Sequence, residues 1–228
     1  MEFEPKRMRH AAPPPAFTYT PPDGLVPVLY ADDDILVVDK PAGLLSVPGK
    51  AACHADCVES RVRDCYPQAR IVHRLDLDTS GVMILALNAS AHRHLGLQFE
   101  RRHVQKVYYA VVEGHVMEDN GLIDLPLRCD WPNRPKQMVC FEEGKASQTG
   151  WQVLERHADT TWLKLVPKTG RSHQLRVHLF ACGHPIIGDV FYANAAASAG
   201  RLPLHAAHLH IRHPNGGTNM LFQSDLPF

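Results

Sequence analysis

Short apolar runs rich in β-branched residues recur along the chain and constrain its fold more than any other feature. Residues 35–38 read Ile-Leu-Val-Val, residues 107–112 read Val-Tyr-Tyr-Ala-Val-Val, and similar runs occupy 81–87, 161–166 and 207–212. Runs of this kind predict strands. Helical patterns do not alternate with them regularly. The sequence therefore predicts an α+β fold with a mixed, largely antiparallel sheet and flanking helices, rather than a doubly wound sheet.

Two serines stand where helices are expected to begin. Ser90 is placed to cap a helix that runs to about Arg101. Ser172 is placed to cap a second helix, which is expected to end at Cys182 with Gly183 as its C-terminal cap.

Composition sets the broad class of protein. The chain has 228 residues, of which 45% are hydrophobic, enough to bury a core. No stretch approaches the roughly 20 apolar residues of a membrane span, and residues 1–5 lack an apolar signal core. We expect a cytoplasmic protein without membrane contact. Prolines at 5, 13–15 and 21–22 predict a disordered or loosely docked tail over residues 1–25, followed by one folded domain over residues 26–228.

The balance of charge gives a weaker indication. Lysine plus arginine equals aspartate plus glutamate at 24 each, and a net charge of zero argues mildly against a nucleic-acid binder. Basic residues nevertheless gather in 61–74, 93–106, 128–136 and 164–176. A neutral chain with this distribution can still carry a positive cleft.

The six cysteines are expected to be free thiols, because a chain of this length does not need disulfides to fold. Cys53 and Cys57 raise the alternative of a metal site. No second ligand pair follows at a zinc-ribbon spacing, so we expect no metal.

Two polar segments stand out as candidates for chemistry. Residues 71–81 place charged and hydroxyl side chains between an apolar entry and an apolar strand, which is also the pattern of a surface turn. Residues 168–178 place Gly-Arg-Ser at a predicted helix N-terminus, where free N–H groups favour an anion. A polar helix face is the alternative for the second segment.

Together, these segments resemble a known enzyme family. Residues 72–81 read Val-His-Arg-Leu-Asp-Leu-Asp-Thr-Ser-Gly, and residues 170–178 read Gly-Arg-Ser-His-Gln-Leu-Arg-Val-His. Both are similar to motifs of the pseudouridine synthases grouped around the ribosomal large-subunit enzyme A. Shorter matches lie at 38–44, at 106–108 and at 183–189, in the same order. Residues 124–137 resemble the enzyme A subgroup in particular.

The resemblance implies a catalytic domain over residues 26–228 with a central RNA-binding cleft and a role for each of five residues. Asp76 would be the catalytic residue, acting either as a nucleophile at the sugar or as a base on a ribose proton. Arg176 would pair with Asp76 and keep it ionised. Tyr108 would stack on the flipped uracil, and Arg74 would fill the gap left in the RNA. Leu175 would wall the uracil pocket, with an ordinary core position as the alternative.

The resemblance also implies the substrates and partners. The reaction needs no cofactor, and the RNA expected is large-subunit rRNA together with the anticodon stem-loop of tRNA. Three alternatives remain at this point: a family sibling that modifies another rRNA site, an RNA-binding protein without catalysis, and a metal hydrolase. The absence of a long amphipathic interface helix favours a monomer.

Overall fold

The β-branched runs form strands in the computed structural model, which describes residues 18–193 and 200–228. Twelve strands and three α-helices lie in this part of the chain. The strands are β1 (Val28–Ala31), β2 (Ile35–Lys40), β3 (Arg70–Ile71), β4 (Ser80–Ala86), β5 (Gln105–Glu113), β6 (Asn120–Asp124), β7 (Leu127–Cys129), β8 (Gln137–Val139), β9 (Gln148–Arg156), β10 (Thr160–Pro167), β11 (Leu204–Arg212) and β12 (Asn219–Gln223). The helices are α1 (Val58–Arg63), α2 (Ala89–Glu100) and α3 (Gln174–Ala181).

The described chain divides into two compact units. The terminal unit comprises Thr18–Val107 and His205–Phe228, and the middle unit comprises Tyr108–Leu204. The terminal unit combines the two ends of the described chain, and the middle unit is the segment between them. The chain passes from one unit to the other within β5 and again at the start of β11.

The terminal unit is built on a mixed sheet in the order β1-β2-β4-β11. Strand β2 runs antiparallel to both β1 and β4, whereas β11 runs parallel to β4. Strands β3 and β12 add antiparallel pairs to β4 and β11. All seven residues of β4 are buried, as expected for a strand covered on both faces.

The core of the terminal unit lies between this sheet and α2. Val37 and Ile84 face each other across β2 and β4, and both belong to a cluster that includes Ala91 and Leu95 of α2. The helix covers the sheet through residues four apart, which share one helical face.

The middle unit contains an antiparallel sheet in the order β5-β10-β9-β6 and a separate β7-β8 hairpin. Helix α3 contributes Leu175 and Leu179 to a core that also holds Leu163 and Leu165 of β10. Strands β4 and β11 form a parallel pair, and the other strand pairs described above are antiparallel. The predicted α+β fold with a mixed, largely antiparallel sheet is therefore confirmed.

Both predicted N-terminal caps were wrong by one or two residues. Asn88 caps α2 by accepting a hydrogen bond from the Ala91 amide at 2.8 Å, because Asn is as good a cap as Ser and stands two residues earlier. His173 occupies the cap position of α3 in a left-handed conformation, with φ +50°. The Gln174 side chain accepts from the Arg171 amide at 3.1 Å instead. The predicted end of α3 is confirmed, with Gly183 at φ +87°.

Most of the predicted tail, residues 1–17, lies outside the described residues. The remainder makes specific contacts with the terminal unit: the Tyr19 hydroxyl donates to the Asp56 carbonyl at 2.8 Å, and Arg61 donates to the carbonyls of Pro22 and Gly24. No helix in residues 18–193 or 200–228 has the length and apolar character needed to cross a membrane.

Gly81 allows β11 to lie against β4. It has φ +113°, and a Cβ at this position would lie 2.2 Å from the Ala206 carbonyl oxygen. We expect Gly81→Ala to lower the free energy of unfolding by about 3 kcal/mol or more, because a strained backbone is combined with a backbone clash. Urea denaturation followed by circular dichroism measures the change.

Gly96→Ala in α2 is the matched control, because nothing lies within 4 Å of its added Cβ. This variant should be as stable as the wild type or up to about 1 kcal/mol more stable. An unchanged stability of Gly81→Ala would show that β11 does not need the close approach.

His73 is a neutral imidazole that supports the start of the loop before β4. Its ring stacks on Phe99 at 4.6 Å, and its Nε2 accepts a hydrogen bond from the Ile84 amide at 3.1 Å. Desolvation, with a smaller contribution from the charge of Lys106, lowers the pKa of His73 to about 3. The unfolded chain, with an ordinary pKa near 6.5, therefore binds a proton that the folded chain does not bind between these pH values.

We expect the stabilisation from neutral His73 to be complete above pH about 6.5 and to be lost progressively as the pH falls towards 3. His73→Gln retains an acceptor for the Ile84 amide but cannot titrate, so its free energy of unfolding should fall less steeply over this range. His103→Gln removes an exposed histidine of the same unit and should retain the wild-type slope. Equal slopes for His73→Gln and the wild type would contradict this account.

Candidate active site

Asp76 lies in the loop that connects β3 to β4, half-buried and five residues after the end of β3. The loop closes as a turn in which the Thr79 amide donates to the Asp76 carbonyl at 3.2 Å. The catalytic residue predicted from the sequence is thus the first residue of a turn that leads into the buried strand β4.

Lys40 fixes the loop on the C-terminal side of Asp76. Its ammonium group is fully buried and donates to the carbonyls of Pro41, Leu77 and Thr79 at 3.0, 2.9 and 2.7 Å. The Gly43 amide also donates to the Leu77 carbonyl at 2.9 Å. Because a buried charge must be compensated by good hydrogen bonds, these contacts determine the path of the backbone after Asp76.

Ser46 fixes the loop on the N-terminal side. Its hydroxyl donates to the Leu75 carbonyl at 2.7 Å and accepts from the Leu75 amide at 3.1 Å, and the serine itself is buried. The Leu75 side chain points into the protein, whereas Arg74 is exposed. The loop therefore holds Asp76 between two fixed residues and presents Arg74 to solvent.

Arg176 lies in α3 of the middle unit, almost completely buried, and forms a two-pronged ion pair with Asp189. Its Nε and Nη2 donate to the two carboxylate oxygens of Asp189, both at 2.7 Å. The guanidinium also lies over the rings of Phe191 and Tyr192, at 5.2 and 5.4 Å from their centres. Such a fork-to-fork pair fixes the plane of the guanidinium as well as its position.

Asp189 is the ion-pair partner of Arg176, and the sequence analysis did not single it out, although the motif at 183–189 contains it. It is buried, and its Oδ1 also accepts from the amides of Phe191 and Tyr192 at 2.9 and 3.2 Å. The sequence did offer one signal: Asp189 lies in the motif at 183–189, directly after the motif at 170–178 that contains Arg176. Its role as the carboxylate that orients Arg176 required the three-dimensional contacts.

Tyr108 and Leu175 also belong to the middle unit. Tyr108 lies at the start of that unit on β5, half-buried and paired in register with Leu165 of β10. Leu175 is a buried member of the core of this unit. This position agrees with the alternative of a core leucine, and a contact of Leu175 with uracil stays a prediction.

The five predicted site residues are thus divided between the units. Arg74 and Asp76 share one loop of the terminal unit, whereas Tyr108, Leu175 and Arg176 belong to the middle unit. The predicted pairing of Asp76 with Arg176 stays a prediction.

One group of side chains in the described ranges has the spacing of a metal site: Asp32, Asp34 and His213. The oxygens of Asp32 already accept hydrogen bonds from the amides of Asp34 and Ile35, from the Tyr30 hydroxyl and from His213. These contacts organise the turn between β1 and β2, and we assign no metal to the group.

The comparisons with known proteins agree with the motifs. Residues 34–181 match the family model described as RNA pseudouridylate synthase. The chain is 56% identical over 204 residues to the dual-specificity RNA pseudouridine synthase RluA of Yersinia pestis, a match that covers 88% of this chain and 99% of the relative. It is 54% identical over 214 residues to the protein of the same name from Escherichia coli K12, covering 92% and 98%.

Solved structures show the same fold. Human RNA Pseudouridylate Synthase Domain Containing 1 superposes with a TM-score of 0.77 at 29% identity, covering 92% of this chain and 87% of the human chain. Human RNA Pseudouridylate Synthase Domain Containing 4 gives 0.72 at 26% identity, with 88% of each chain covered. With a family model that matches more than half of its length and relatives of over 50% identity, this chain belongs to the RNA pseudouridylate synthase family.

Proposed function

We propose that this chain isomerises uridine to pseudouridine in structured RNA, with Asp76 as the catalytic residue. The observation that carries the proposal is the fixed path of the loop around Asp76, which Ser46 binds on one side and Lys40 on the other, while Arg74 of the same loop faces solvent. A carboxylate held in this way needs no reorganisation when the substrate arrives.

The reaction requires the N1–C1′ bond of uridine to break, the base to rotate and a C5–C1′ bond to form. The proton on C5 is released, and N1 gains a proton. No atom is oxidised and no group leaves the RNA, so the residues of this chain suffice. Asp76 acts either by attacking the sugar or by removing a ribose proton, and both remain open.

The other predicted residues have complementary roles in the proposal. Arg74 is exposed beside Asp76 and replaces the extruded uridine in the RNA stack, for which a planar guanidinium is suited. Arg176 provides the positive charge that keeps the catalytic carboxylate ionised. Tyr108 stacks on the uracil. His73 takes no part as a base, because its Nε2 already accepts the Ile84 amide.

The names of the relatives guide the choice of substrate. A dual-specificity enzyme of over 50% identity supports action of this chain on large-subunit rRNA and on the anticodon stem-loop of tRNA. We further propose that residues 26–228 act as one catalytic domain and that the protein works as a cytoplasmic monomer.

Asp76→Asn should reduce pseudouridine formation at least about a thousandfold, because an amide can neither attack nor accept the proton. Tritium release from RNA that contains 5-tritiated uridine measures the reaction, since carbon rejoining frees the label. A tRNA anticodon stem-loop and a large-subunit rRNA fragment should both release tritium with the wild-type protein. Turnover by Asp76→Asn would reject the catalytic assignment, whereas release from only one RNA would reject the dual substrate.

Asp78→Asn is the matched control, since Asp78 is half-buried in the same loop. It should retain activity within a few fold of the wild type. RNA affinity measured by filter binding should be similar for the two variants, which separates loss of chemistry from loss of binding.

Lys40→Met should lower both stability and turnover. The variant keeps the apolar stem but leaves the carbonyls of Pro41, Leu77 and Thr79 without the ammonium donor, at a cost of about 1–3 kcal/mol for an unsatisfied buried group. We expect kcat to fall about tenfold or more, with a smaller change in KM, because a small displacement of a catalytic group is costly.

Lys50→Met is the control for loss of a lysine, because Lys50 is exposed in the same unit. It should leave both the free energy of unfolding and kcat unchanged. Wild-type kcat in folded Lys40→Met would show that the buried ammonium is not needed to position Asp76.

A further inference from the structure

The connection between β7 and β8 carries an exposed aromatic side chain that the core does not require. Trp131 begins a short 3-10 helix, Trp131–Asn133, and 66% of its surface is exposed. The Arg134 guanidinium lies over its ring, 4.7 Å from the centre. Arg134 is itself exposed and makes no ion pair among the residues that the structure describes.

This connection is ordered by its own hydrogen bonds. The Asp130 amide donates to the Lys136 carbonyl, the Lys136 amide donates to the Asn133 carbonyl, and the Asn133 amide donates to the Asp130 carbonyl, each at 3.0 Å. The Asn133 side chain also donates to the Asp130 carboxylate at 3.0 Å. The tryptophan is therefore presented by a closed and rigid loop.

The loop is also anchored to the residues that hold Arg176. The Gln137 amide donates to the Tyr192 hydroxyl at 2.8 Å, and that hydroxyl contacts His173 Nδ1 at 2.9 Å. The ring of Tyr192 is one of the two that lie under the Arg176 guanidinium. A chain of direct contacts thus connects the exposed loop to the buried arginine within the middle unit.

We propose that Trp131 and Arg134 form a stacking platform for an unpaired base of the substrate RNA and so contribute to the choice of substrate. This inference rests on the proposed function and adds a binding subsite to it. An aromatic ring beside a guanidinium matches the requirements of a single-stranded nucleic acid, since the ring stacks on a base and the cation attracts the adjacent phosphate.

An RNA base fits this surface better than a protein partner does. The loop offers one indole with a cation over it and two exposed prolines, and its remaining side chains are polar. A protein interface of ordinary size buries about 800 Å² on each side around several large apolar anchors, which this loop does not provide. The platform is preorganised, so stacking incurs little loss of conformational entropy in the protein.

Steady-state kinetics of tritium release from the tRNA anticodon stem-loop test the platform. Trp131→Ala should raise KM about tenfold, the effect expected from loss of one base–aromatic stack, with kcat changed less than about twofold. Trp131→Phe should restore KM to within about threefold of the wild type. Arg134→Lys, which retains the charge but not the plane, should raise KM about threefold.

A second measurement identifies the stacked base without turnover. The stem-loop carries 2-aminopurine at one unpaired position at a time and is bound to Asp76→Asn protein. Fluorescence at one position should be quenched on binding, and the added Trp131→Ala change should relieve that quenching. Quenching that persists in the double variant would contradict the platform.

The control variant is Met117→Ala, which removes a side chain that is 78% exposed elsewhere in the middle unit. Its KM should equal that of the wild type. Absence of tritium release by the wild-type protein would reject the proposed function itself. Normal turnover by the wild type with an unchanged KM for Trp131→Ala would reject only the stacking platform and leave the proposed function standing.

Discussion

The buried ammonium group of Lys40 is the constraint on which the proposed catalytic loop depends. A charge withdrawn from water is tolerated only where strong hydrogen bonds replace its hydration. Lys40 obtains them from three main-chain carbonyls, two of which lie in the segment that follows Asp76. Since these acceptors are backbone atoms, the contacts with Lys40 fix the path of the main chain after Asp76, and the position of the Asp76 Cα follows from that path.

The middle unit uses a different solution for its buried cation. Arg176 is paired in a fork with the Asp189 carboxylate, which in turn accepts two backbone amides. An ammonium is a point charge that can bind carbonyls from several directions, whereas a guanidinium requires a planar partner. The Lys40 ammonium is therefore suited to binding several carbonyls of one loop, and the Arg176 guanidinium is suited to a pairing that fixes the orientation of its plane. Exchanging the two cations would lose both properties.

The sequence predicted the elements better than it predicted the contacts. The β-branched runs became strands and the Gly183 helix end was correct, because both depend on local backbone preferences. The caps at Ser90 and Ser172 were wrong because several nearby residues can satisfy the same amides, and packing selects among them. Asp76 was predicted to be the catalytic residue from its motif, and this assignment stays a prediction. The roles of Asp189, Ser46 and Lys40 could not be predicted, since each role depends on a contact between residues more than ten positions apart in the sequence.

The zero net charge is compatible with a polyanionic substrate once the ion pairs are considered. Several acidic residues of the described chain are paired with arginines, as in Asp56–Arg61, Glu59–Arg63 and Asp119–Arg156. The exposed arginines Arg93, Arg101 and Arg102 at α2 have no such partner in residues 18–193 and 200–228. Attraction to phosphates decays within about 10 Å at 0.1 M salt, so RNA responds to local charge rather than to the sum over the chain. The exposed arginines at α2 therefore supply local positive charge for phosphates that a net charge of zero does not reveal.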